Sequence, residues 1–269
     1  MKNKQFSSAH YDYLKKYTKN KIQILTTQIS IFIVFLLSWE LLSRYEIISS
    51  FFFSSPSKII HTLGELFHSG ELIYHSKITL SETLIGFSLA SGVGFIVAMI
   101  LWYSDFLRRV FEPYLVILNS LPKIALGPII IIWFGAGNRA IIFMCILIVI
   151  IVTIMNILNS FTSCDTQLIN LARTLGANKF QIFFKLVLPN SIKDIVSTLK
   201  INVGLSWIGA IMGEYLVSKA GLGYLLIYGG QVFNLNLVMS ATTILCILAS
   251  LMYFAVAMFE KIVNKTFYQ

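Results

Sequence analysis

The sequence predicts an all-α, polytopic membrane protein with about six transmembrane helices, and three observations predict it. Of its 269 residues, 57% are hydrophobic and 12% charged, against about 25% charged in a soluble domain. Six apolar runs, each near the ~20 residues that span a bilayer, are readable at 22–42, 79–103, 113–135, 139–160, 195–217 and 237–259. The cations sort by side. With the N-terminus inside, the inner segments hold six Lys before residue 22, Arg108, Arg109, four Lys or Arg within 160–193, Lys261 and Lys265; the outer ones hold Arg44, Lys58, Lys77, Arg139 and Lys219. Fourteen against five places both termini in the cytoplasm by the positive-inside rule. The net charge of +9 is thereby an orientation signal and implies no nucleic acid. Short loops between the runs make 22–269 a single domain behind a basic tail, 1–21.

The tail is polar and Lys-rich, suited to anionic headgroups and membrane lipid. The run from Ile22 to Trp39 is of spanning length with no small-x-small cleavage site after it, so it reads as the first helix. Glu40 closes it at the interface. In the outer segment 43–78, Ile59, Ile60, Leu63, Leu66 and Phe67 have helical spacing, with Ser57 as the expected cap of a helix to Leu72. His61, His68 and His75 recur every seven residues there. Seven residues rise about 10 Å against metal–nitrogen bonds of about 2 Å, so a shared ion would need a bend at Gly70. No metal site is expected, and no histidine is expected within the spans.

In the second run Gly86, Ala90, Gly94 and Ala98 recur every fourth residue, a stripe that lets a neighbouring helix approach closely. Gly209 and Gly213 repeat it in the fifth. The third run is expected to break at Pro122 and Pro128, against protein or a watery cavity. Lys123 lies about ten residues into it, where a charge costs about 3 kcal/mol, so it must snorkel, pair with an acid, or face a water-filled path. In the fifth run Asn202, Ser206, Trp207 and Glu214 either line a route with Glu214 near its outer mouth, or bond to neighbouring helices. Residues 219–236, with Gly221, Gly223, Gly229 and Gly230, read as turn, short helix and turn. Cys145, Cys164 and Cys246 make no disulfide framework and are expected as small apolar fillers.

The loop at about 161–193 is the most informative segment. Asp165 is a good N-cap for a helix from Thr166, Gly176 a good C′ residue, and Asn178 a cap for a second helix ending before Pro189. Leu168, Ile169, Ala172 and Leu175 give the first helix an apolar face. Phe180, Phe183, Phe184 and Val187 give the second another, and Arg173, Lys179 and Lys185 supply a rim. Such a knob suits a partner interface or a helix pair lying on lipid.

Gly176 precedes Pro189 by thirteen residues, with Leu186 ten after the Gly and Leu188-Pro189 closing the pattern. This spacing resembles the cytoplasmic coupling loop of ABC importer membrane subunits, whose signature is Glu-Ala-Ala, three residues, Gly, nine residues, Ile, any residue, Leu-Pro. Asn170 and Leu171 stand in place of Glu and Ala; Ala172 agrees. Together with LPKIALGPIIIIWFG (121–135), LARTLGA (171–177), GEYLV (213–217) and GLGYLL (221–226), the chain resembles the nitrate, sulfonate and taurine branch of these permeases, whose loop reads Ala-Arg-Thr-Leu-Gly-Ala. The resemblance covers roughly 50–265. It implies a type I importer permease in the bacterial inner membrane, working with a second permease subunit, cytoplasmic ATPase subunits and an extracytoplasmic solute-binding protein. It also implies that Ala172, Arg173, Gly176, Ala177, Leu186, Leu188 and Pro189 couple to the ATPase, and that the solute is a sulfonate, taurine, nitrate or a similar small anion, or a thiamine-precursor pyrimidine or other nutrient in related members. The chain has no Gly-Lys pair, so no P-loop: ATP hydrolysis would belong to another chain. Two rivals are an ion-coupled secondary transporter using Lys123 and Glu214 as intramembrane coupling groups, and a membrane enzyme, for which no H-E-x-x-H or other catalytic set is present. No cofactor is implied.

Overall fold

The computed structural model describes residues 8–267. The first seven residues of the basic tail, with Lys2 and Lys4, lie outside the described residues. Contacts divide the chain into two compact units, Met1–Thr62 and Leu63–Gln269.

The first unit holds α1 (Ser8–Arg44), α2 (Ser50–Phe53) and the first half of α3 (Pro56–His68). Helix α1 already begins within the basic tail. The cap of α3 is Ser55 rather than Ser57: the Ser55 hydroxyl accepts from the Lys58 amide (3.4 Å), and Pro56 takes the first helical position, where a missing N–H costs nothing. Ser57 instead gives its amide (3.1 Å) and hydroxyl (2.8 Å) to Glu40.

In the second unit α3 ends at His68, not Leu72, because Gly70 (φ +80°) turns the chain and α4 (Glu71–Tyr103) begins at once. The second run thus carries two more helical turns than its hydropathy predicts, and His75 lies in the same helix, against expectation. The chain continues through α5 (Asp105–Ser120), a 3₁₀ turn (Lys123–Leu126), α6 (Gly127–Phe134), α7 (Asn138–Thr162), α8 (Thr166–Thr174), α9 (Lys179–Ile182), a π turn (Phe183–Val187), α10 (Leu188–Val217), α11 (Leu222–Gln231) and α12 (Leu235–Phe267).

Among the described residues five helices are long and apolar enough to cross a membrane; α5 with the 3₁₀ turn and α6 make a sixth if that pair, bent by 86°, is one span. The bend is the expected break in the third run, at one of its two prolines only. Leu121 is extended (ψ 137°) ahead of Pro122, as residues before proline prefer. Pro128 does not break anything: it sits in the first turn of α6, where no N–H is needed.

Helix α7 is the centre, with α4 packed on one side and α10 on the other. The small residues create both contacts. A Cβ on Gly94 would stand 2.7 Å from Thr153 Cγ2, one on Gly209 2.6 Å from Cys145 Cα, and one on Gly213 2.8 Å from Ile141 Cα. Ala90 and Ala98 are fully buried. The stripe therefore packs inside the subunit, where close backbone approach replaces the hydrophobic drive that lipid does not supply. Helices α11 and α12 close against α10, and Lys200 of α10 pairs with Glu260 of α12 at 2.7 Å.

The turn–helix–turn expected at 219–236 is present, but its second turn is displaced. Gly229 and Gly230 lie inside α11, and the left-handed residue ending it is Phe233 (φ +55°). Phe233 and Asn234 donate to Gly230 O (3.3 Å) and Gly229 O (2.8 Å), the two bonds of a Schellman end. Gly229 is needed for space: a Cβ there would meet Val238 at 2.8 Å.

Candidate functional site

The knob between α7 and α10 is built by caps. Asp165 accepts from the Gln167 amide (2.8 Å) and starts α8. The helix stops at Gly176 (φ +84°): the Gly176 amide reaches Arg173 O (2.9 Å) and the Ala177 amide Ala172 O (3.0 Å), again the paired bonds of a Schellman motif. Two residues on, Asn178 Oδ1 accepts from the Gln181 amide (2.8 Å) while Gln181 Oε1 accepts from the Asn178 amide (2.9 Å), a reciprocal box that opens α9. All three caps stand where the sequence predicts them.

The apolar faces divide differently from expectation. Phe183 and Val187 are buried, with Ile182, in the cluster that roots the knob on α4 and α7. Phe183 lies against Trp102 (5.0 Å between centroids) and Phe161 (5.2 Å). Ile169, Ala172, Ala177, Leu186 and Leu188 pack half-buried on the same cluster, so these motif residues attach the knob to the bundle. Outward stand Leu168, Leu171, Leu175, Phe180 and Phe184, Leu175 being 79% exposed. Arg173 and Lys185 are exposed beside them, while Lys179 lies over the rings of Tyr103 (5.3 Å) and Trp102 (5.8 Å). Between α4, α5 and α9 the surface opens into an apolar groove of about 290 Å³ lined by Met99, Ile100, Tyr103, Leu107, Phe180 and Phe184.

The second knob helix does not end before Pro189. Helix continues from Lys179 to Val217, 39 residues. The reason is the π turn: the Leu188 amide bonds Phe183 O, five residues back. A proline ring crowds the carbonyl four residues before it, here Lys185, and the widened turn makes room. At about 1.5 Å per residue the run is about 58 Å long, well beyond a bilayer core of about 30 Å. The knob is thus one end of a continuous rod whose other end carries the polar row of α10.

That row is sealed in this conformation. Asn202, Ser206, Trp207 and Glu214 are all buried. Asn202 Nδ2 donates to Thr153 Oγ1 of α7 (2.9 Å) and Ser91 Oγ of α4 (3.0 Å), joining three helices. Ser206 donates to Asn202 O (2.6 Å), and Cys145 Sγ donates to Ser206 O (3.5 Å). Trp207 packs with Val203, Leu222 and Leu225. Glu214 accepts from the Gly223 amide (2.5 Å). Lys123 is apart from them, at the 86° bend, with Nζ donating to Asn119 O and Oδ1 at 3.4 Å each.

Two α4 neighbours of Glu214 escaped the sequence reading, Thr79 and Glu82, as did the bond that His75 Nδ1 of the same helix accepts from the Gly221 amide (2.9 Å). The available signal was Glu82 itself, an acid inside an apolar run. Among the described residues no three His, Cys, Asp or Glu side chains are placed to hold a metal ion.

Residues 90–267 match the family described as binding-protein-dependent transport system inner membrane component. A permease protein named for aliphatic sulfonates transport, SsuC of Bacillus subtilis, is 26% identical over 83% of this chain and 81% of its own. The formylaminopyrimidine transport permease protein ThiX of Halalkalibacterium halodurans is 30% identical over 72% of this chain and 76% of its own. Among solved structures, a chain of the MetNI methionine ABC transporter in an inward-facing conformation superposes with a TM-score of 0.65 at 22% identity, covering 73% of this chain and 97% of that one; the fold is shared.

Proposed function

The chain belongs to the family of binding-protein-dependent transport system inner membrane components, and from that premise we propose that its knob receives a cytoplasmic ATPase while α10 carries the resulting motion to the solute path. It is a permease subunit of an ABC importer, in the inner membrane. In the proposed arrangement both termini and the knob face the cytoplasm, as the lysine and arginine bias favours. Two permease copies enclose the path, and an outer binding protein delivers the solute. The observation that carries this reading is the knob itself. Its caps define one short helix and the start of a long one, its inner face is spent on the bundle, and its outer face leaves five large apolar side chains uncovered beside Arg173 and Lys185.

Gly176→Asp and Leu175→Asp test it. Both sites are exposed, whereas Ala172 faces the core; Leu175→Asp leaves the backbone untouched, and Gly176→Asp adds only the left-handed strain at φ +84°, about 1–2 kcal/mol. The expected outcome is a chain that inserts and purifies normally but no longer retains a P-loop ATPase or supports uptake. Retention of the ATPase by both variants refutes the docking role.

For the solute we propose a small sulfonate-like oxyanion, taurine and nitrate included, since the relative named for sulfonates aligns over most of both chains. A second reading, a pyrimidine, is favoured by the 30% identity to the formylaminopyrimidine permease. Uptake of labelled sulfonate against labelled pyrimidine by cells with and without the gene separates them. Uptake that survives loss of the ATPase but collapses with the ion gradient would replace both with the secondary-transporter reading. Lys123, Asn202, Ser206, Trp207 and Glu214 stay proposed path residues, to be exposed when α10 moves.

A further inference from the structure

At the end of the bundle away from the knob, α4, α10 and the start of α11 enclose two carboxyl groups. Glu82 of α4 and Glu214 of α10 are each 1% exposed and lie within hydrogen-bonding reach of one another. Their surroundings differ. Glu214 has donors at one oxygen: the Gly223 amide reaches Oε2 at 2.5 Å with the Tyr224 amide beside it, while Oε1 has no donor. The two amides belong to the first turn of α11, where N–H groups lack helical partners and the helix dipole favours an anion. The fit is close: a Cβ on Gly223 would stand 2.7 Å from Glu214 Oε2, and Gly221 abuts the same carboxylate. Glu82 has no such support. Neither of its oxygens receives a hydrogen bond from any donor.

Two ionised carboxylates in contact, out of water, are untenable without a cation. Among the described residues no Lys or Arg pairs with either. On α4 the nearby titratable group is His75, whose Nδ1 accepts from the Gly221 amide (2.9 Å) and is therefore unprotonated. On α11 it is Tyr224, stacked on His75 at 6.0 Å. On α7 it is Cys145, committed to Ser206. None can neutralise the pair.

We propose that Glu82 and Glu214 form a proton-binding site that holds one proton at neutral pH, on Glu82, whose hydroxyl donates to an ionised Glu214. The assignment follows from the donors: the carboxyl with amide donors keeps the charge, and the one with none keeps the proton. The site latches α11 to α4, together with the bonds from Gly221 to His75 and from Leu222 to Thr79 (2.7 Å). Loss of the proton sets two anions against each other and loosens that end of α10, the far end of the rod that begins at the knob. The inference rests on these contacts and is independent of which solute is carried.

Infrared spectroscopy of the full chain in lipid nanodiscs tests it. At neutral pH the wild type is expected to show the carbonyl stretch of a protonated, buried carboxylic acid that vanishes at alkaline pH. The band is expected to be missing from Glu82→Gln and kept in Glu214→Gln. No such band in the wild type, or a band that persists in Glu82→Gln, overturns the proposal. Stability gives a second readout. A proton held in the folded chain and released on unfolding makes stability fall as pH rises, so as pH rises above the ordinary carboxylate range the wild-type melting temperature should fall relative to that of Glu82→Gln. Parallel curves refute the proton. The wild-type band alone decides the first test should the variant fail to fold.

Discussion

Gly209 of α10 lies over the Cα of Cys145 in α7, so near that a Cβ at 209 would stand 2.6 Å from it. The obstacle is backbone, which a rotamer change cannot move. Gly209→Ala should force the two helices apart and cost about 1–3 kcal/mol, the usual range for overpacking. Gly204→Ala, on the same helix with no atom within 4 Å, should not. Melting of the two purified variants checks this; equal melting temperatures would mean that α7 and α10 do not cross as described.

Gly176 ends α8 with φ +84° and open space around it. The cost of a side chain there is therefore conformational alone, about 1–2 kcal/mol for an ordinary residue in the left-handed region and less for asparagine. Cys164 reports on the knob without a probe being added. It is 3% exposed, beneath α8, and burial pushes its thiol above the usual range. Only the thiolate reacts, so its alkylation should be slow at neutral pH and faster as pH rises. In Gly176→Val it should be faster at every pH, and in Gly176→Asn close to wild type, as read by mass spectrometry of the labelled peptide. Equal rates in all three would show that Gly176 does not hold the knob together.

These local features were legible because each rests on a few adjacent residues. Asp165, Gly176 and Asn178 announce their roles through cap chemistry, and the stripe from Gly86 to Ala98 through spacing. What escaped depends on residues distant in sequence. Helix α4 begins at Glu71 because His75, Thr79 and Glu82 are satisfied or sheltered by residues 214–224, so hydropathy mistakes its first turns for loop. Pro189 reads as a helix stop, yet a π turn absorbs it. Phe183 and Phe184 are neighbours of one type, and only the fold shows that the first is 3% and the second 45% exposed.

Phe233 occupies a position whose backbone suits glycine or asparagine, and its ring is 70% exposed. Phe233→Asn should relieve the left-handed strain and stabilise the end of α11 by about 1 kcal/mol, raising the melting temperature in detergent. A lower melting temperature would show that the ring makes a contact worth more than the strain.

Asn202 decides between two meanings of the polar row on α10. Its amide joins α10 to Ser91 and Thr153 on the two neighbouring helices, and hydrogen bonds between membrane helices contribute about 0.6 kcal/mol each. Asn202→Leu should therefore lower stability by about 1 kcal/mol if the residue only holds helices together, with uptake reduced no more than the amount of folded protein. If α10 moves and Asn202 meets the solute, the concentration dependence of uptake per folded molecule should change as well. Ser206 provides the control, because its hydroxyl bonds its own helix at Asn202 O and Ser206→Ala removes no link between helices. A solute-concentration profile altered in both variants would place the row on the path; one altered in neither would leave it as the bolt between α4, α7 and α10.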